Sequence, residues 1–208
     1  MSLAKDERAG LSDTFAEVGD NVPTLCEGWT SRDLLAHLLV RERKPWAAPG
    51  IFIPALASLA DNAMSSYDDV AWPDMIEQFR DGPPVWSFTA IPAADALVNG
   101  AEHYVHHEDV RRGSPGWKPR PPHDPRDRQL WEILQRMARM LFRRSPVGVV
   151  LRSGDDRELV ARKAAPSVTL VGEPGELVLF GYGRSAVEVE REGDPADVAA
   201  LDGSSRGV

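Results

Sequence analysis

Through the first two-thirds of the chain, apolar residues recur at helical spacing. Leu11, Phe15 and Val18 share one face of a helix predicted over about 3–20, and Pro23 and Gly28 then break the pattern. Thr30 and Asp33 form a Thr-x-x-acid start for a second helix, which runs to about 44 and ends at Pro45. After a turn over 49–54, a helix is predicted over about 54–66. Another carries Pro73 in its first turn and presents Met75, Ile76 and Phe79 until Gly82, Pro83 and Pro84 stop it. Pro92 opens a helix to about 112. A proline- and glycine-rich loop covers 113–125. A strongly periodic helix to about 144 follows, with Leu130, Trp131, Leu134, Ala138 and Leu141 on its apolar face.

At Pro146 the pattern changes. Residues 147–151 and 158–161 read as strands flanking a turn at Gly154, Asp155 and Asp156, and 167–171 reads as a third. A short helix with Pro174 in its first turn is predicted up to about 180. Residues 186–190 alternate like a strand with one wet face, and a short helix over about 195–201 closes the chain. The expected fold class is mainly α: a helical bundle over residues 1–145, then a small α/β domain over 146–208.

Composition narrows the function. The 208 residues carry a formal charge of −8, which argues against a nucleic-acid partner, since a phosphate-backbone binder needs a basic face. No apolar run approaches the roughly 20 residues that span a bilayer, and the N-terminus has no signal-peptide apolar core, so no membrane association is expected. The single cysteine, Cys26, permits no internal disulfide and excludes a zinc ribbon; a reducing cytoplasm is the expected location. Cys26 is a candidate redox thiol or fourth ligand, but its first reading is a small buried hydrophobe beside Trp29. The sequence leaves the oligomeric state open.

The histidines supply the candidate chemistry. His37 stands among leucines, and His103, His106 and His107 cluster with Glu102, Glu108 and Asp109 some 65 residues later. On a wheel of about 100° per residue, the apolar stripe of the later helix centres on Leu97, Val98, Ala101, Tyr104 and Val105. Glu102 and Asp109 flank that stripe, while His103 points away from it. His106 and His107 fall on opposite shoulders; the wheel does not choose between them, although His106 lies on the Glu102 side. A carboxylate at a core edge calls for a neutralising cation. Two imidazoles and one carboxylate form a standard three-ligand metal set that leaves a position open. Asp109 could then orient a ligating histidine through its other nitrogen.

The stretch Cys26-Glu-Gly-Trp29-Thr-Ser-Arg-Asp33-Leu-Leu-Ala-His37, followed by Glu102-x-x-x-His106-His107-x-Asp109, resembles the mycothiol-dependent maleylpyruvate isomerase family of DinB-like metal-binding bundles. The resemblance covers roughly 5–145, and a softer likeness extends over 168–184. It implies a DinB-like antiparallel four-helix bundle. It also implies a divalent metal, zinc first with nickel or iron as alternatives, held by His37, Glu102 and His106. Mycothiol or a similar small-molecule thiol is the implied cofactor, with a small electrophilic or anionic substrate. Arg184, matched through Gly183-Arg184, is the implied catalytic arginine, since a guanidinium suits a carboxylate. The proline-rich stretch 45–51 and the linker 116–122 depart from the isomerase pattern, so the resemblance does not carry maleylpyruvate itself over as the substrate. The leading expectation is a thiol-dependent transferase or isomerase. The alternatives are a non-catalytic metal-binding or sensing module and, by donor set alone, a ferrous oxygenase.

Overall fold

The computed structural model describes residues 2–44, 46–47, 50, 53, 57–84 and 99–206. By its contacts the chain divides into two units, Met1–Trp117 and Lys118–Val208.

The first unit is helical. Helix α1 (Leu3–Val18) buries Leu11 and Phe15, one turn apart, and ends where Gly19, at φ +82°, donates its amide to the Phe15 carbonyl. That left-handed backbone suits a residue without Cβ. Helix α2 (Ser31–Arg43) starts at the expected capping box: the Thr30 hydroxyl accepts from the Asp33 amide while the Asp33 carboxylate accepts from the Thr30 amide. It stops at Lys44, the residue before Pro45, where a following proline disfavours helical backbone. Helix α3 (Ala57–Ser65) is the described part of the helix expected from 54; residues 54–56 lie outside the described residues. Helix α4 (Trp72–Arg80) carries the expected proline in its first turn. Helix α5 (Gly100–Arg112) is the described part of the helix expected from Pro92; residues 85–98 lie outside the described residues.

Helix α1 packs along α5 and α4, and α2 packs against α4 and α3. Leu11, Phe15, Leu34, Leu35, Leu38, Leu39, Met75 and Phe79 form the core between them. Phe15 meets Trp72 and Phe79 edge to face, at 5.6 and 6.4 Å between ring centroids.

A folded-back loop over 19–30 completes this unit. Thr24 N donates to Trp29 O, Ser31 N donates to Val22 O, and Pro23 pairs with Thr30 in an isolated bridge. The loop is tied to the end of α5, where the last carbonyls of a helix lack partners: Leu25 N donates to Asp109 O at 3.0 Å. Gly113 allows the approach, since a Cβ there would lie 2.0 Å from the Pro23 carbonyl oxygen.

The second unit holds α6 (Asp124–Leu141) and a four-stranded sheet in the order β2-β1-β3-β4. Strands β1 (Gly148–Arg152) and β2 (Glu158–Arg162) form an antiparallel hairpin, β3 (Ser167–Val171) lies parallel to β1, and β4 (Glu190–Glu192) pairs antiparallel with β3. Val149, Leu151, Val168 and Leu170 point to the buried face. Helix α7 (Pro174–Gly181) is buried along its whole length, and α8 (Pro195–Asp202) closes the chain.

Two expectations change. The strand expected over 186–190 is confined to 190–192, because Glu188 N donates to the Glu176 carboxylate at 2.8 Å and is lost to the ladder. The division expected at 145/146 followed the change of element type. By contacts the chain instead divides at 117/118, because α6 packs on α7 and β2 and thus belongs to the second unit. The mainly α class, a helical bundle with a small α/β region, holds. No described helix is long and apolar enough to cross a membrane.

Candidate metal centre

The middle of α2 and the body of α5 bring His37, Glu102 and His106 together. Glu102 and His106 are one turn apart on α5, and Glu102 Oε2 lies 3.4 Å from His106 Nε2. The His37 ring stands 5.5 Å from the His106 ring, at 71°, and 5.1 Å from the Trp29 ring, at 50°. Behind His106, Nδ1 meets Asp109 Oδ2 at 2.9 Å, the orienting contact expected from the sequence.

Protonation follows from these neighbours. Burial pushes the His37 imidazole down to about 3, with the nearby His106 and Arg41 acting the same way and Glu102 opposing them, so its ring is neutral. For Glu102, burial raises the carboxyl, but the His106 hydrogen bond and the Arg41 charge outweigh it and hold the group at about 2. Burial disfavours charge on His106 too, yet Asp109, Cys26 and Glu102 raise it well above the ordinary histidine value.

The Glu102–His106 pair has the spacing for a divalent ion; among the described residues the three-residue group whose donor atoms all lie within 4.8 Å of one another is Cys26, His106 and Asp109, and His37 stands outside it. Two donor atoms separated by 3.4 Å can share one ion at ordinary bond lengths of about 2.0–2.2 Å. Neutral His37 and ionised Glu102 are already in ligating protonation states. His106 carries a proton between two carboxylates, and a cation at Nε2 would take that proton's place.

Cys26 lies closer to this cluster than its sequence reading as an apolar filler suggests. It does pack against the core beside Trp29, but Sγ also lies 3.3 Å from Asp109 Oδ2. Cys26, His106 and Asp109 form a group whose donor atoms all lie within 4.8 Å of one another. The cause is the 19–30 loop docking on the end of α5, a tertiary contact with no signature in sequence.

His103 and His107 stay apart from the cluster, though not for the reason the wheel gives. Neither faces solvent: His103 is fully buried and His107 is 7% exposed. His103 Nδ1 meets Ala4 O at 3.1 Å and its Nε2 meets Glu42 Oε1 at 3.3 Å. His107 Nδ1 meets Glu7 Oε2 at 2.8 Å and its Nε2 meets Thr14 Oγ1 at 2.9 Å. The wheel presumes one wet face, and α5 is buried almost all round.

The His103 contact exposes a role for Glu42 that its sequence position does not suggest. Arg8 Nη2 and Nη1 donate to the two Glu42 oxygens at 2.5 and 2.9 Å, and Nη1 also donates to Phe79 O at 2.7 Å. Burial alone would raise the Glu42 carboxyl; the His103 and Arg8 contacts outweigh it and hold it below the ordinary range. A depressed folded-state value contributes stability above the unfolded value, about 4.3, and loses it as pH falls through the folded one. Urea midpoints measured between pH 7 and pH 3 should therefore fall more steeply for the wild type than for Glu42→Gln below about pH 4.3. Parallel curves would remove Glu42 from the acid response.

Arg184 sits in the second unit, just beyond α7. It is half-buried and donates from Nη1 to the Tyr182 carbonyl at 2.8 Å.

No protein-family model matches the chain, and no curated protein matches it significantly in sequence. Among solved structures, the crystal structure of the mycothiol-dependent maleylpyruvate isomerase is similar at a TM-score of 0.61 and 19% identity, over 91% of this chain and 90% of that one. A histidine-to-alanine mutant of that isomerase gives a TM-score of 0.61 at 18% identity, with the same coverage. At this identity the likeness is one of fold.

Proposed function

We propose that this chain, which shares its fold with a mycothiol-dependent maleylpyruvate isomerase, is a divalent-metal protein. In this reading it uses a low-molecular-weight thiol such as mycothiol in a transferase or isomerase reaction. The observation that carries the reading is the Glu102–His106 donor pair at 3.4 Å, with the neutral His37 imidazole beside it. Zinc is the expected ion, with nickel or iron as alternatives, and His37, Glu102 and His106 are its proposed ligands. When bound, such an ion favours a thiolate over a thiol near neutral pH. Asp109 holds the His106 ring through Nδ1. Trp29 packs its ring against the His37 imidazole at 5.1 Å. Arg184 is proposed to hold an anionic part of the substrate. A chain with a single cysteine suits a cytoplasmic location.

One observation favours a second reading. Cys26 Sγ, near Asp109 and His106, could supply a fourth donor, and a closed four-donor set is typical of structural rather than catalytic zinc. Elemental analysis and thiol consumption separate the two. The first reading expects about one divalent ion per chain and consumption of mycothiol with an electrophilic acceptor that stops on chelation and returns with metal. Metal without thiol turnover on any acceptor selects the binding module, and absence of metal from protein reconstituted with zinc, nickel and ferrous iron refutes both.

A further inference from the structure

Arg41 stands one helical turn after His37, on the same face of α2. It is 5% exposed, and its Nη1 is wholly buried without a hydrogen-bond partner. Its ion-pair partner is Glu102, whose Oε2 lies 4.0 Å away, beyond hydrogen-bond reach. A guanidinium is therefore held beside the proposed ligands with an unused donor. Removing a charged donor from water without a partner is costly, and such groups are normally paired.

Other buried arginines of this unit show the usual solution. Arg8 forks onto Glu42, and Arg112 donates to Glu108 at 2.5 Å. Among the described residues Arg41 has no such fork. The charge of Glu102, its near counter-ion among them, is the charge that a bound dication would consume. The loaded centre would then hold a buried guanidinium beside a metal ion, an environment that draws in an anion. Glu102 keeps 23% of its side chain exposed while His106 keeps 10%, and Arg41 stands beside Glu102.

We propose that Arg41 is the anion anchor of this centre: its free Nη1 receives a carboxylate oxygen of a small substrate lying next to the metal. This rests on the metal reading above and adds to it a residue of the first unit, beside the proposed ligands, for the anionic substrate that reading already takes. Planar, charge-assisted guanidinium–carboxylate pairing is the chemistry involved.

The test is calorimetric titration of the zinc-reconstituted protein with succinate as a carboxylate probe and 2-mercaptoethanol as a neutral thiol probe. Zinc content and thermal unfolding are followed in parallel. Arg41→Gln is expected to weaken succinate binding by roughly tenfold to a hundredfold and to leave zinc stoichiometry and thiol binding unchanged. Arg41→Lys keeps the charge but not the fork. It should lose several-fold and, should the glutamine variant not fold, decides the matter alone. Unchanged succinate affinity in either variant overturns the proposal, as does a wild-type protein that binds no succinate. Loss of zinc in step with loss of succinate would also overturn it, by reducing Arg41 to a support for Glu102. If the wild type takes up no zinc, the metal reading fails. The same succinate titration of metal-free protein then decides Arg41, and an absence of Arg41-dependent binding there overturns it.

Discussion

Glu42→Ala is expected to remove about 3–5 kcal/mol of unfolding free energy, the usual result of breaking a buried ion pair from one side. The substitution leaves the Arg8 guanidinium, 8% exposed, with Phe79 O as its remaining hydrogen-bond acceptor among the contacts described above, and His103 without its Nε2 partner. It also opens a small void between α1, α2 and α5. Glu42→Gln keeps the shape and some of the hydrogen bonds, so its loss should be smaller. The exposed pair Arg80–Asp13 is the internal control: its 2.6 Å contact looks as strong, but both partners are in water, and Asp13→Ala should cost less than about 1 kcal/mol. Denaturant unfolding at pH 7 checks all three. If Glu42→Ala costs no more than Asp13→Ala, the network is not the stabilising element described here.

The second large effect concerns the ion. In protein with both His37→Ala and His106→Ala, divalent metal should fall from about one per chain to background, because a single carboxylate cannot hold it alone. Secondary structure should survive, since neither imidazole belongs to the apolar cluster that packs α1, α2 and α4; circular dichroism run beside elemental analysis separates metal loss from unfolding. Full stoichiometry in the double variant would falsify the ligand set. In that case Cys26 and Asp109, which already share the cluster with His106, become the donors to test next.

Sequence patterning resolved the elements well where local chemistry decides them. The Thr30–Asp33 capping box sets the start of α2, and alternating apolar residues mark β1 and β3. Patterning failed where a distant side chain intervenes. Nothing near Glu188 shows that Glu176 will take its amide. The same division runs through the candidate site. Glu102, His106 and Asp109 lie within two turns of one helix, so their common face is legible from spacing. His103 and His107 are not, because a wheel assumes a wet side and α5 has hardly any. Cys26 was ranked too low and Arg41 was missed for a related reason: each matters through a contact between separate elements, the loop with α5 in one case and α2 with α5 in the other.

Asp109 belongs to two bonded systems at once. Its main-chain carbonyl holds the 19–30 loop through Leu25 N, and its side chain holds the His106 ring and meets the Cys26 thiol. Lifting the loop from the helix end would therefore free the imidazole's orientation and withdraw the sulfur in one movement. The loop and the ring thus form a single cooperative opening unit. A ligand that fixes the ring would slow the loop's excursions, so site occupancy becomes readable as the lifetime of one backbone amide.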